Sequence, residues 1–323
     1  MYIQKVLSNL NAWHELYEGN SDLLQEIRNA LTNIEPASMN PAQFSRAIES
    51  RLAMYGWTSQ HLLAEAHFSR TLIKTVDLFK DPLGIEIFSG NAARLERLFF
   101  VKFPMAIHAK QVKIAVLIIP VQSLARDLGT NLGSFERIKE TLTEFDTIGL
   151  KYPFVVMGIG VEDQEMTSVI ELNTALDSYL IGRLGCTLKE IRLGGESDNI
   201  EFKEMMPSND KLARQACAFA NTTGGGIMIF GITDDGAVTG IPGNEWDEYQ
   251  TKVANVFTSA CLPNPEFRML RFDTDDPTRQ LFVIDIQELA TKPCVTNDGR
   301  IYIRQGGTSR PAKSEDIRRM ILR

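Results

Sequence analysis

Apolar positions change their spacing several times along the chain. LLQEIRNALTNI (23–34) places them at helical spacing, and NPAQFSRAIESRLAMYGW (40–57) does so after a Pro-Ala start suited to a helix N-terminus. Residues 1 to about 70 are therefore expected to be helical. From Thr71 the texture changes: TLIKTVDLFKDPLGIEIFSG reads as strand, turn, strand, with DPLG as the turn. AARLERLFFVKFPMAIHAK is helical up to Pro104, KIAVLIIPV is a short continuous apolar run and hence a buried strand, GSFERIKETLTEF is a helix, and YPFVVMGIGV is a strand. That alternation predicts an α/β layout.

MTSVIELNTALDSYLIGRLGC leads to a second region, with a boundary expected near residues 183–190 and no Gly/Ser linker. There DKLARQACAFANTTGGG reads as a helix ending in a glycine turn, and IMIFGITDDGAVTGI as a hairpin about Asp-Asp-Gly. EWDEYQTKVANVFTSACLP is a helix, EFRMLRF and QLFVIDIQEL are strands, and RIYIRQGGTSRPAKSEDIRRMIL is a strand, a glycine turn and a helix beginning about Ser314. Two domains of mixed α/β (α+β) character follow, at residues 1–183 and 188–323.

Composition adds limits. The chain has 323 residues, 44% apolar and 23% charged, as expected of a globular protein. No membrane-length apolar run and no signal-peptide pattern is present, so a cytoplasmic protein is expected. Its four cysteines (Cys186, Cys217, Cys261, Cys294) form no CxxC pair, which argues against structural zinc and for reduced thiols. The net charge of −7 argues against a non-specific nucleic-acid coat, although residues 304–323 hold six Lys/Arg against two acids. A helix C-terminus with cations suited to its dipole accounts for that excess as well as a phosphate-facing surface does.

Three phrases of the second region, ESDNIEFKE (196–204), ACAFANTTGGGIMIFGITDDGAVTGI (216–241) and RIYIRQGGTSRPA (300–312), resemble the Schlafen-type AlbA-like domain in order and spacing. The resemblance implies a metal-dependent endoribonuclease, with tRNA as the substrate class, and Glu196, Glu201 and Asp234 as its catalytic, metal-binding acids. Asp235 is the neighbour that takes the role if the register slips by one. Three carboxylates this close repel one another unless a cation sits between them, and all-oxygen donors favour Mg2+ or Mn2+. Lys203 would neutralise phosphate charge, and Arg300, Arg304 and Arg310 would bind phosphates. Each of these residues also has an ordinary reading, as a solvated loop acid, a turn aspartate or an exposed strand cation. The glycine run lacks the GK[ST] ending of a phosphate loop, leaving ATP binding a minor alternative. A nucleic-acid-binding regulatory module without nuclease activity is the other alternative. Vertebrate relatives pair two such lobes, so a homodimer or higher oligomer is expected.

In the first region Asp77 and Glu86, in TVDLFKDPLGIEIFSGN, resemble the PD-(D/E)xK nuclease skeleton, and the order of elements looks like restriction endonucleases of the BglII group. The position that carries Gln or Lys in that motif holds Phe88. A phenylalanine neither ligates metal nor activates water. A degenerate nuclease fold is therefore expected, kept to recognise DNA or a phage component. The pairing suggests an antiviral defence effector.

Overall fold

The computed structural model describes the chain except residues 33, 62–75, 89, 91–93, 109–111, 130–131, 145–149, 164–165, 167, 275 and 322–323. It divides into two compact units, Met1–Thr187 and Leu188–Arg323.

Unit 1 opens with strand β1 (Tyr2–Asn9), not with the expected helix. Its second half is buried, and the side chain of Asn9 donates to the carbonyls of Leu150 and Tyr152 at 2.7 and 2.8 Å, so this polar strand end is satisfied inside the fold. Helix α1 (Ala12–His14) runs into a π turn (Glu15–Gly19), followed by α2 (Ser21–Thr32) and α3 (Pro41–Ala53). Asn40 and Gln43 close a reciprocal capping box at the start of α3. Strand β2 (Thr58–His61) precedes the hairpin of β3 (Val76–Lys80) and β4 (Leu83–Ile87), which turns at Asp81–Pro82 as DPLG predicts. The start of that expected first strand, from Thr71, lies outside the described residues.

After β4, helix α4 (Leu95–Arg97) passes into a π turn (Leu98–Lys102) and then α5 (Phe103–His108). The helix thus continues through Pro104 instead of stopping there. A π turn just before proline absorbs the hydrogen bond that its missing N–H cannot make. Strand β5 (Ile114–Pro120), helices α6 (Gln122–Leu128) and α7 (Phe135–Glu144), strands β6 (Phe154–Gly160) and β7 (Val169–Glu171), and helix α8 (Ala175–Leu184) complete the unit. Among the described residues the sheet order is β2-β3-β4-β5-β6-β1-β7, with β4, β5 and β6 parallel. Every residue of β5 and β6 is buried, as a parallel sheet covered on both faces requires.

Unit 2 begins with α9 (Leu188–Gly194), β8 (Ile200–Lys203), α10 (Asn209–Ala220) and β9 (Gly226–Phe230). It continues with β10 (Ile241–Pro242), α11 (Trp246–Ala260), β11 (Cys261–Leu262), β12 (Phe267–Asp273) and β13 (Arg279–Ile286). Strands β14 (Val295–Thr296), β15 (Tyr302–Gln305) and β16 (Thr308–Pro311) and helix α12 (Ser314–Ile321) close it. β13 pairs with β10, β12 and β9, and β8 runs parallel to β9. The expected hairpin after β9 is therefore only a turn with one bridge, Ile232 to Val238, because β10 joins β13 instead. Leu212, Phe219, Phe230, Phe257 and Phe282 fill the core between helices and sheet. Cys217, Cys261 and Cys294 are buried there as free thiols, with Sγ of Cys294 3.3 Å from that of Cys217.

Candidate active site and its comparisons

In unit 2 the three motif phrases do meet, but not as a carboxylate cluster. Glu201 lies on β8 and is buried. One of its oxygens accepts from Gln215 of α10 and lies 2.9 Å from Nζ of Lys203, and the other is 2.5 Å from Nη1 of Arg304. Arg304 is itself buried; it donates to the carbonyls of Ser197 and Ile200 and stands over the Phe219 ring at 4.6 Å. Glu196 accepts the N–H of Phe202 at 2.9 Å and faces Nζ of Lys203 at 3.3 Å. Burial opposes the charge of Lys203, yet Glu201 and Glu196 together raise its pKa.

Asp234 is the third acid of the expected set. It sits on an exposed turn whose bonds run from Thr233 to Asp235 and Ala237, and among the described residues no three His, Cys, Asp or Glu side chains are placed to hold a metal ion. Asp235 belongs to the same turn, where the Thr233 hydroxyl holds its carboxyl below the usual range. A hairpin-turn aspartate bonding its own backbone is the commoner use of this residue.

The phosphate-facing arginines are likewise paired within the unit. Arg304 is spent on Glu201, Arg310 reaches Asp316 at 2.8 Å, and exposed Arg300 lies 3.4 Å from Asp298. Both glycine turns bind carboxylates of the chain itself. The N–H of Gly224 donates to Glu288 at 2.7 Å and that of Gly306 to Asp198 at 2.6 Å. Gly307, at φ +78°, packs so closely on Glu196 that a Cβ there would come within 3.0 Å of its Cβ. Asn221 closes the clasp, donating to the carbonyls of Cys294 and Tyr302, both at 2.9 Å.

Unit 1 is different. The β3–β4 register pairs Leu78 with Ile85, which carries Asp77 across from Glu86, so the two acids share one face of the sheet. Asp77 Oδ2 accepts the N–H of Ile87 at 2.8 Å. Lys102, at the end of the π turn, donates to Glu86 Oε1, and both side chains are largely buried. Glu86 Oε2 is buried and has no hydrogen-bond partner among the described residues. Burial, then the charge of Asp77, push the Glu86 carboxyl up to about 7 against the pull of Lys102. Burial likewise raises Asp77, opposed by the Ile87 N–H and by Lys102, while Glu49 on α3 is raised by burial and then by Asp77. Among the described residues the two acids thus share one cation, Lys102, and Glu86 keeps a spare oxygen.

Phe88 is buried against Gly133, where an added Cβ would meet its ring at 2.7 Å. The basic group comes instead from Lys102, outside the motif. Its sequence signal was present: Leu95, Leu98 and Lys102 stand at i, i+3 and i+7, so the lysine lies on an apolar stripe. A charge there is seldom buried without a partner.

Two family models match the chain, "Restriction endonuclease BglII/BglIII" over residues 4–159 and "Schlafen, AlbA_2" over residues 196–313. No curated protein matches. Among solved structures, the BglII endonuclease in complex with a DNA 16-mer is similar at 16% identity and a TM-score of 0.39, covering 50% of this chain and 79% of its own. The DIP2311 protein of Corynebacterium diphtheriae is 21% identical at a TM-score of 0.29, covering 42% of this chain. The chain spans only 26% of that protein's length. The N-terminal domain of a putative ATP-dependent DNA helicase RecG-related protein from Nitrosomonas europaea is 23% identical at a TM-score of 0.28, covering 39% of this chain and 90% of its own. Among the described residues no helix is long and apolar enough to cross a membrane. Together the family matches point to a nuclease or nucleic-acid-binding function, in a two-unit chain whose first unit matches the BglII endonuclease family and whose second matches the Schlafen AlbA_2 family.

Proposed function

We propose that the protein is a divalent-metal-dependent phosphodiester hydrolase whose reacting site is the Asp77, Glu86 and Lys102 cluster of unit 1, with unit 2 as a nucleic-acid-binding module. The observation that carries this reading is Glu86 Oε2, a buried carboxylate oxygen without a hydrogen-bond partner among the described residues, beside a second acid and one lysine. The endonuclease match of this unit supports it.

A hard divalent cation fits this donor set, since Asp77 and Glu86 offer oxygens only and one of them is unspent. Mg2+ or Mn2+, when bound, supplies polarisation of a phosphoryl oxygen and a more acidic water. The chain's own residues do the rest. Glu86 is protonated for part of the time at neutral pH and must ionise to act as a ligand. Lys102 holds Glu86 Oε1 and places an ammonium where phosphate charge would accumulate. Asp77 is fixed through the Ile87 N–H, and Glu49 adds negative potential from α3.

A second reading puts the chemistry in unit 2, as a Schlafen-type ribonuclease that cleaves tRNA and serves antiviral defence, through Glu196, Glu201 and Asp234. The meeting of Glu196, Glu201 and Lys203 favours it; the two cations and Gln215 already on those acids weigh against it.

The test is cleavage of duplex DNA, single-stranded DNA and tRNA with Mg2+ or Mn2+ by the parent, Glu86→Gln, and Glu196→Gln plus Glu201→Gln. We expect cleavage that Glu86→Gln lowers on the order of 10²–10³-fold. Cleavage of tRNA that survives Glu86→Gln and disappears in the double variant moves the site to unit 2. A mass measurement in solution on the same samples checks the expected homodimer.

A further inference from the structure

Between α6 and α7 of unit 1 lies a cavity of about 390 Å³ lined in part by Gln122, Arg126, Ser134, Glu136, Arg137 and Glu140. Its charges are unequal in status. Glu136 is already matched, by Lys5 at 2.7 Å and by the N–H of Gln122 at 2.8 Å. Arg126 and Arg137 are exposed, and neither guanidinium has an ion pair or hydrogen bond among the described residues. Glu140 is the one lining acid left unpaired among the described residues. The free cations therefore outnumber the free anion.

The cavity has one wall tied by a hydrogen bond to the chain just after β4, the strand that carries Glu86. It opens past the C-terminal end of β5, where an open parallel sheet receives ligands. Leu132 and Ser134 line it, and Gly133 between them donates its N–H to the Gly90 carbonyl and packs on Phe88, two residues beyond Glu86. Phe88 and Gly90 thus link this wall to the strand that carries Glu86.

We propose that the cleft between α6 and α7 binds a backbone phosphate of the nucleic acid, with Arg126 and Arg137 as its ligands. The inference rests on the reading of unit 1 as a nuclease and names where that unit grips its substrate. Arginine forks suit phosphate oxygens, and each phosphate so held releases counterions, so binding should weaken steeply with salt.

The experiment is fluorescence anisotropy of the full chain with labelled duplex DNA and with a labelled RNA hairpin, in EDTA, over a series of salt concentrations. The variants are Arg126→Glu plus Arg137→Glu, and Glu140→Gln. All the cleft residues changed are exposed, and thermal melting checks that the fold is kept. We expect the double charge reversal to weaken binding about tenfold or more and to lower the log–log salt slope by about one to two. Glu140→Gln should tighten binding. Unchanged affinity and slope in the double variant, with the parent still binding and cleaving, overturns the cleft assignment alone. A parent that neither binds nor cleaves overturns the nuclease reading as well. Calorimetry with inorganic phosphate separates the source: saturable phosphate binding lost in the double variant, with nucleic-acid affinity unchanged, assigns the cleft to a free anion and overturns the proposal.

Discussion

Each unit sets two acids and a lysine close together beside a strand, and the two sets have opposite balances. In unit 2, Glu196 and Glu201 meet Lys203, Arg304, Gln215 and a backbone N–H, so each charge has an answer. In unit 1, Asp77 and Glu86 share Lys102, and Glu86 keeps an oxygen with no hydrogen-bond partner among the described residues. A matched buried cluster holds elements in place, whereas an unmatched one stores unfavourable energy that a bound cation or substrate can relieve. The lesson is that acid spacing along a chain reports neither case; the cations that arrive from elsewhere decide.

This contrast can be broken most directly at Arg304. Arg304→Ala leaves Glu201 charged and buried, and should cost about 3–5 kcal/mol of unit 2 stability, read from denaturant unfolding. A loss below about 1 kcal/mol would mean the clasp is not structural.

The next effect is a pH dependence in unit 1. The Glu86 carboxyl is raised from 4.5 to about 7 in the fold, so its contribution to stability is full below 4.5 and is lost as the pH rises through about 7. The full loss is about 3 kcal/mol at most. Glu86→Gln should flatten this part of the stability profile, leaving the smaller slope from Asp77, and Mg2+ should offset the loss in the parent. A profile identical in parent and variant would sink the unmatched reading. Lys102→Met should move the midpoint higher, since a cation that favours the ionised form is gone.

The smallest effect belongs to Arg310. Its pair with Asp316 is only half-buried, so Arg310→Ala should cost about 0.5 kcal/mol, within reach of careful melting curves.

Much of the fold was legible because period and turn chemistry were unambiguous. DPLG gave its hairpin, KIAVLIIPV its buried strand, and ACAFANTT its helix end. The N-terminal strand was not legible: YIQKVLSN has no clean alternation, and it becomes a strand because β6 and β7 bracket it. The Asp77–Glu86 pairing followed from hairpin register alone, but Lys102 arrives from a helix 16 positions beyond Glu86, which no motif spacing encodes. The role of Arg304 was partly visible, since alternation along YIRQ sets it on the same buried face as Tyr302. The turn that holds Asp234 was not legible, because a strand-end acid and a turn acid look alike until the next strand's partner is known.

The clasp of unit 2 also dictates an order of events on the ribosome. Glu201 meets Arg304 across 103 positions of chain, and Asn221 meets Tyr302 across 81. A nascent chain that has emerged only as far as Gly299 carries the whole five-stranded sheet but neither of these partners. Its helix α10 then ends on an amide that holds Cys294 but not Tyr302, and its first strand buries a carboxylate that Lys203 and Gln215 answer without Arg304. Unit 1 has by then all of its strands in hand. The second unit must wait for its last thread, and synthesis itself sets the moment at which that unit becomes whole.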